Sequence, residues 1–234
     1  MKVIAIFSIV FSTLAFFFYG KEPEPFHPSL TKTNDSANCA MIKEGETLLQ
    51  EGDLVVRLSG DPTSQFIKYF NRNDQRYSHS GIVLYQGGYP YIFHMVSGDE
   101  NPDARLRKDS LMRFCDPQKN SEYGLYRYHL NDSEIKKLKE CMEAWYAKGL
   151  RFDSLFNLKT DDRMYCSEMI KKGLAKATNN RVQIASSKLT KQEAFLLSAH
   201  LRLPLNYTTN LQVVAIDNLY TNAFCVKIKA YVFK

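Results

Sequence analysis

The chain has no Cys-x-x-Cys pair, so its five cysteines (Cys39, Cys115, Cys141, Cys166 and Cys225) give no support to a zinc ribbon. It has no basic block. The net charge is +6 and the pI is near 8.9, but the basic residues are spread along the chain and often sit beside acids. The run Glu134-Ile135-Lys136-Lys137-Leu138-Lys139-Glu140 is one example, and it reads as a solvated helix face. No nucleic-acid partner is expected from such a pattern. There is no internal repeat. What is present is an ordinary globular composition: 44% of 234 residues are hydrophobic, which argues against disorder and allows one domain plus a tail.

The first 20 residues differ from the rest. Val3 to Gly20 carries no charge and follows Lys2, which reads as an export signal or an N-terminal membrane anchor. The run is at the short end for a spanning helix. Its small-x-small pattern is poor, Thr13-Leu14-Ala15 being the nearest match, and no lipobox cysteine follows. Both readings place the body of the protein outside the cytoplasm, periplasmic or secreted, with possible membrane association through residues 3–20. Residues 21–45 read as a flexible tether, extended by Pro23, Pro25 and Pro28. The folded domain is expected over 46–234. An odd number of cysteines in an exported protein leaves at least one thiol free. Cys39, Cys115, Cys141 and Cys225 are candidates for disulfides, in pairings that spacing does not decide.

Within the domain, strands are expected over Gly52–Arg57, Gly81–Tyr85, Tyr89–Val96 and Glu122–Tyr128. The turn Gln86-Gly87-Gly88 closes the middle two into a hairpin. Helical patterns cover Ser64–Phe70, 108–114, Asn131 to about Ala147, Tyr165–Ala177 and the stretch from Thr190 to Pro204. Gly149–Arg163 reads as a loop, and Leu211–Phe233 as two strands around Asn218 and Asn222. Adjacent strands mixed with helices argue an α+β fold with a mostly antiparallel sheet.

Two segments carry chemistry. Ser78-His79-Ser80-Gly81 puts a histidine at the start of an apolar strand, and Tyr165-Cys166-Ser167-Glu168 puts a cysteine at the start of an amphipathic helix. A nucleophilic thiol is served by an imidazole that takes its proton and by a helix N-terminus that favours the thiolate. Cys166 is therefore the expected nucleophile, with a lowered pKa, and His79 the expected base. The orphan amides of the first helical turn suit an oxyanion. If the hairpin closes on Gly87-Gly88, positions summing to about 175 face each other. His94 then lies near Gly81 and close enough to orient His79. A one-residue slip would turn it to the other face.

Four segments in order resemble the circularly permuted NlpC-type papain-like hydrolases of the YiiX-like group. They are Gly52-Asp53-Leu54-Val55-Val56-Arg57, Ser78-His79-Ser80-Gly81-Ile82-Val83, Gly149 to Phe156, and Tyr165-Cys166-Ser167-Glu168. Histidine precedes cysteine, as the permutation requires. Lecithin retinol acyltransferase is a related permuted example. The resemblance implies a papain-like α+β core, with a small antiparallel sheet on the nucleophile helix. It implies Cys166 as nucleophile, His79 as base and His94 as the third polar residue. Many members carry an acid near that third position, and residues 86–98 hold none. Asp153 and Glu168 recur in the matching segments, where loop bracing and helix-start electrostatics explain them better than catalysis. Tyr165 is expected to line the pocket, lend its hydroxyl or pack in the core.

These residues lead to an exported cysteine hydrolase that needs no metal or organic cofactor. Extracytoplasmic placement favours an amide in a cell-wall peptide as substrate. The aromatics Phe66, Tyr69, Phe70, Tyr89 and Tyr91 suit the alternative, an acyl-lipid hydrolase or acyltransferase. A binding module that kept the fold without turnover is the non-catalytic alternative.

Overall fold

The computed structural model describes residues 32–98 and 101–234. The expected signal or anchor over 1–20, and the first part of the expected tether, lie outside the described residues. Chain order is α1 (Lys32–Leu48), β1 (Leu54–Ser59), α2 (Pro62–Lys68), β2 (His79–Gln86), β3 (Tyr89–His94), β4 (Arg107–Asp109), α3 (Leu111–Phe114) and β5 (Asn120–Tyr128). It continues with α4 (Asp132–Lys148), β6 (Arg151–Phe152), β7 (Arg163–Met164), α5 (Cys166–Ala177), β8 (Ser187–Lys188), α6 (Lys191–Leu201), α7 (Leu205–Thr208), β9 (Gln212–Val213) and β10 (Cys225–Val232). No helix among these is long and apolar enough to cross a membrane.

The centre is a six-stranded sheet in the order β10-β5-β1-β2-β3-β4, with every pairing antiparallel. This is the expected α+β architecture. Strand alternation divides the core in two. Leu54, Val56, Ile82, Leu84 and Phe93 join the cluster that holds Cys166, Met169, Ile170 and Leu174 of α5. Val55, Val83 and Ile92 join the other, with Ile42 of α1 and Leu111 and Phe114 of α3. Each large side chain buried this way contributes about 1.5–3 kcal/mol. The hairpin closes in the expected register: Ile82 faces Phe93, and Gly87 and Gly88 take the positive φ values, 60° and 84°, that its tight turn demands.

Five expectations need correction. Residues 32–45 are not a tether but most of α1. The prolines that suggested an extended chain end at Pro28, and α1 is tied to the domain. Ile42 is buried, Asn38 exchanges two 3.0 Å hydrogen bonds with the backbone of Lys234, and Tyr123 Oη donates to the Met41 carbonyl at 2.8 Å. The segment 108–114 is split, because Ser110 caps α3 and leaves Arg107–Asp109 free to extend the sheet. In the C-terminal region the two strands belong to different sheets: β9 pairs with β8, and β10 with β5. The loop expected over 149–163 also carries β6, which pairs in parallel with β7. All five cysteines are free thiols, so none of the four candidates is in a disulfide.

Candidate active site

Cys166 opens α5 one residue after its N-cap, Tyr165. His79 opens β2, where it is the last residue paired to β1, opposite Arg57. Both line a cleft of about 1080 Å³. They reach it from different faces of β2. His79 shares a face with Gly81 and Val83 and packs on Phe114, while Ser80 points the other way, against Cys166. No hydrogen bond joins His79 to Cys166.

Behind His79 runs a relay. His79 Nε2 lies 2.9 Å from His94 Nδ1, and His94 Nε2 lies 3.0 Å from Asp109 Oδ2. The ladder explains why they meet. His94 lies opposite Gly81, so His79, two residues away on the same face, is its diagonal neighbour. Asp109 faces Ile92, and is the diagonal neighbour of His94 on the other side. Gly81 has to be glycine: a Cβ there would meet Ile92 Cγ2 at 2.5 Å and His94 Cβ at 3.1 Å.

Charge fixes the direction of the relay. Asp109 is held below the usual carboxylate range. Burial raises it, but the hydrogen bond from His94 and the Arg107 guanidinium hold it down. An ionised carboxylate only accepts, so His94 Nε2 carries the proton. Burial lowers His94 despite Asp109, so the ring is neutral and its Nδ1 accepts. His79 Nε2 must then be the donor. Burial, Arg57 and His94 together hold His79 well below the ordinary histidine range, so it too is neutral. Its proton is committed to Nε2, and Nδ1 is left as a lone pair. Among the described residues nothing is hydrogen-bonded to that nitrogen.

The thiol departs from expectation. Burial pushes Cys166 up, against the Ser80 hydroxyl and the backbone groups of Ser167, Ser80 and Cys166, which lower it. The helix start is present, but burial outweighs it, and the resting pair is thiol and neutral imidazole rather than thiolate and imidazolium.

The supporting residues sort themselves clearly. Tyr165 lends its hydroxyl, which accepts from Val214 N–H at 2.8 Å, and its ring also lines the cleft. Ser167 Oγ donates to the Val214 carbonyl at 2.7 Å, so the helix start grips both polar groups of one residue in the opposing cleft wall. Asp153 braces its own loop by accepting from Leu155 N–H at 2.9 Å and Asn157 N–H at 2.6 Å. Glu168 accepts from Tyr165 N–H at 3.3 Å and lies 2.9 Å from Lys172 Nζ. Burial outweighs that ammonium and pushes Glu168 up to about 7. Lys172 is lowered by its own burial but held above its ordinary value by Asp161 and Glu168. Neither acid lies in the histidine relay. Of the five aromatics noted in the sequence, Phe70 alone lines the cleft.

Sequence reasoning missed Asp109, Arg57 and Ser80. Ser80 had a signal in its position next to His79 on the alternate face. Asp109 had one in the capping serine that follows it, which marks the end of a strand rather than the interior of a helix.

Residues 48–222 match the family described as permuted papain-like amidase enzymes, YaeF/YiiX, C92 family. The chain is 25% identical to the uncharacterized protein YiiX of Escherichia coli (strain K12) over 135 residues, 57% of this chain and 61% of that protein. The alignment thus spans less than two thirds of that relative. In fold it resembles the crystal structure of metalloprotein yiiX from Escherichia coli O157:H7, with a TM-score of 0.61 and 22% identity over 78% of this chain and 98% of that one. The residues here do not fit a metal: among the described residues no group of three or more His, Cys, Asp or Glu side chains is placed to hold one. Both ring nitrogens of His94 are already engaged, by His79 and Asp109. With the histidine-before-cysteine order built on an antiparallel sheet and matched over residues 48–222, the chain belongs to the permuted papain-like amidase family of YaeF and YiiX.

Proposed function

We propose that this protein is a cysteine hydrolase that cleaves an amide bond. The relay Asp109–His94–His79 carries the reading, because it ends in an unprotonated Nδ1 in the cleft that Cys166 also lines. Seating a carbonyl brings Nδ1 and Sγ into hydrogen-bond distance. The Cys166 proton passes to Nδ1 as Sγ attacks the carbonyl carbon. The amide N–H groups of the first turn of α5 have no intrahelical acceptor and stabilise the oxyanion. His79 then gives the proton to the departing amine, leaving a thioester on Cys166. Water attacks that thioester, losing its proton to His79, and releases the acid and the thiol.

Two substrate classes follow from separate observations. The uncharged run behind Lys2 supports an exported or membrane-anchored enzyme, for which a cell-wall peptide is the first substrate. The cleft wall formed by Ile67, Phe70, Phe156, Leu197 and Leu201 supports the second reading, an acyl-lipid hydrolase or acyltransferase. Intact-mass spectrometry after incubation with soluble wall fragments and with acyl lipids tests both. The expected result is an acyl adduct on Cys166 that is absent from Cys166→Ala. Turnover that survives Cys166→Ala overturns the mechanism. Cell fractionation checks export, and recovery in the cytoplasm overturns it.

A further inference from the structure

Arg57 takes no part in these steps, yet it is a buried cation beside the base. It is 7% exposed and lies directly across the β1–β2 ladder from His79. Its Nη1 donates to Ser59 Oγ at 2.9 Å and to Asn120 Oδ1 at 2.7 Å, and its Cζ lies 5.0 Å from the centroid of the Phe114 ring. The same ring lies 5.5 Å from the His79 ring and 4.9 Å from that of His94. One aromatic plate thus fixes guanidinium and both imidazoles relative to one another. Other elements add Asp109 and Arg107 from β4 beside His94, Arg113 of α3 on Asp109, and Cys166 of α5 in the cleft. A guanidinium does not lose its proton, so Arg57 stays a cation at every working pH.

We propose that Arg57 is a positioning residue of the reaction: a fixed cation that keeps the His79–His94 pair uncharged, and so keeps Nδ1 of His79 open to the Cys166 proton. A neutral histidine pair suits a base that must be unprotonated before attack. Once His79 has taken the proton, repulsion from Arg57 drives it on to the departing amine. The burial and charge that lower both histidines agree with this role.

The kinetic part rests on the amidase reading; the titration part does not. The test follows the His79 ring by NMR across pH in the full-length chain, alongside the pH profile of kcat/KM, for wild type, Arg57→Met and Arg57→Lys. Arg57→Met should move the His79 midpoint upward by about one pH unit, as expected for a neighbouring charge removed. The acid limb of kcat/KM should rise with it and activity should return at higher pH. Arg57→Lys, which keeps the charge, should stay within about a few tenths of a unit of wild type. An unmoved midpoint in Arg57→Met, or an equal shift in Arg57→Lys, overturns the proposal. Ser59 Oγ donates to Asn120 Oδ1 at 2.8 Å, a bond that does not pass through the arginine, which favours a folded variant. If Arg57→Met does not fold, Arg57→Gln carries the same test. A shifted midpoint with no turnover of any amide sinks the amidase reading alone; turnover with an unmoved midpoint sinks the role of Arg57 alone.

Discussion

Replacing Asp109 by asparagine should damage the enzyme more than replacing it by alanine. Asp109 Oδ2 accepts from His94 at 3.0 Å, and Arg107 Nη2 donates to Oδ1 at 3.1 Å and lies 2.9 Å from Oδ2. Arg113 Nε lies 3.4 Å from Oδ1. In Asp109→Asn the amide oxygen is drawn to the two guanidinium groups, so its NH₂ is aimed at His94 Nε2. That nitrogen must then accept, and the His94 proton moves to Nδ1. His79 Nε2 is forced to accept in turn, and the His79 proton appears on Nδ1, where the base should be. The charge-assisted hydrogen bond of about 1.5–3 kcal/mol that favoured the right tautomer is gone, and a neutral one of about 0.5–1.5 kcal/mol now favours the wrong one. Loss of a general base costs about a hundred- to ten-thousandfold in rate. Asp109→Ala leaves one His94 N–H without its partner but imposes no tautomer, which corresponds to about a tenfold loss. The assay is the rate of Cys166 alkylation by iodoacetamide at pH 7, with ¹⁵N shifts of His94 and His79 reporting the tautomers. Asp109→Ala slower than Asp109→Asn, or His94 still protonated on Nε2 in Asp109→Asn, would refute the reasoning.

His79→Ala should slow Cys166 alkylation and amide turnover by about a hundredfold or more, and His94→Ala by less, because only His79 has a nitrogen open to the cleft; the reverse order would exchange their roles. The alkylation rate of Cys166 across pH should rise with a midpoint no lower than that of an ordinary thiol, since burial pushes it up, and a midpoint near pH 6 would restore the ion-pair reading. A chain truncated to begin at Lys21 should keep its melting temperature, whereas one that begins at Leu49 should lose about 10 °C with the packing of Ile42 and the Asn38–Lys234 bonds; equal melting temperatures would make α1 dispensable. Glu168 has a folded value of about 7 against an ordinary 4.5, so it binds its proton more tightly when folded, and stability should fall by about 3 kcal/mol as pH rises through that window. Glu168→Gln should flatten this dependence between pH 5 and 8 in denaturant titrations, and an unchanged slope would show that Glu168 does not titrate there.

What could be read from the sequence was what periodicity and adjacency carry. The hairpin register needed only the alternation of Gly81–Tyr85 with Tyr89–Val96 and two glycines between them, and Ile82 does face Phe93. Helix α4 announced itself by Asn131 and Glu134, whose side chains do form the reciprocal cap, at 3.0 Å each. Helix α5 followed from its apolar stripe. Helix α1 was obscured because the prolines before it set the expectation, and because its burial depends on the C-terminal strand, 196 residues away at the Asn38–Lys234 contact.

The third member of the relay was out of reach for a related reason. Within the hairpin itself, residues 86–98 hold no acid near His94. The structure supplies it instead from β4, which joins the sheet through a connection that carries no strand pattern of its own. On a sheet, a relay does not follow the chain. It runs straight across the ladder from Arg57 to His79 and then on diagonals through His94 to Asp109, each on the face that alternation assigns. The same alternation puts Ser80, and not His79, against Cys166, so His79 reaches the cleft only at the end of β2, where the β1–β2 ladder stops. In the proposed mechanism, position at the first residue of a strand is thus a requirement. A histidine two residues further in, at Gly81, would meet the backbone of β3 before it met a substrate.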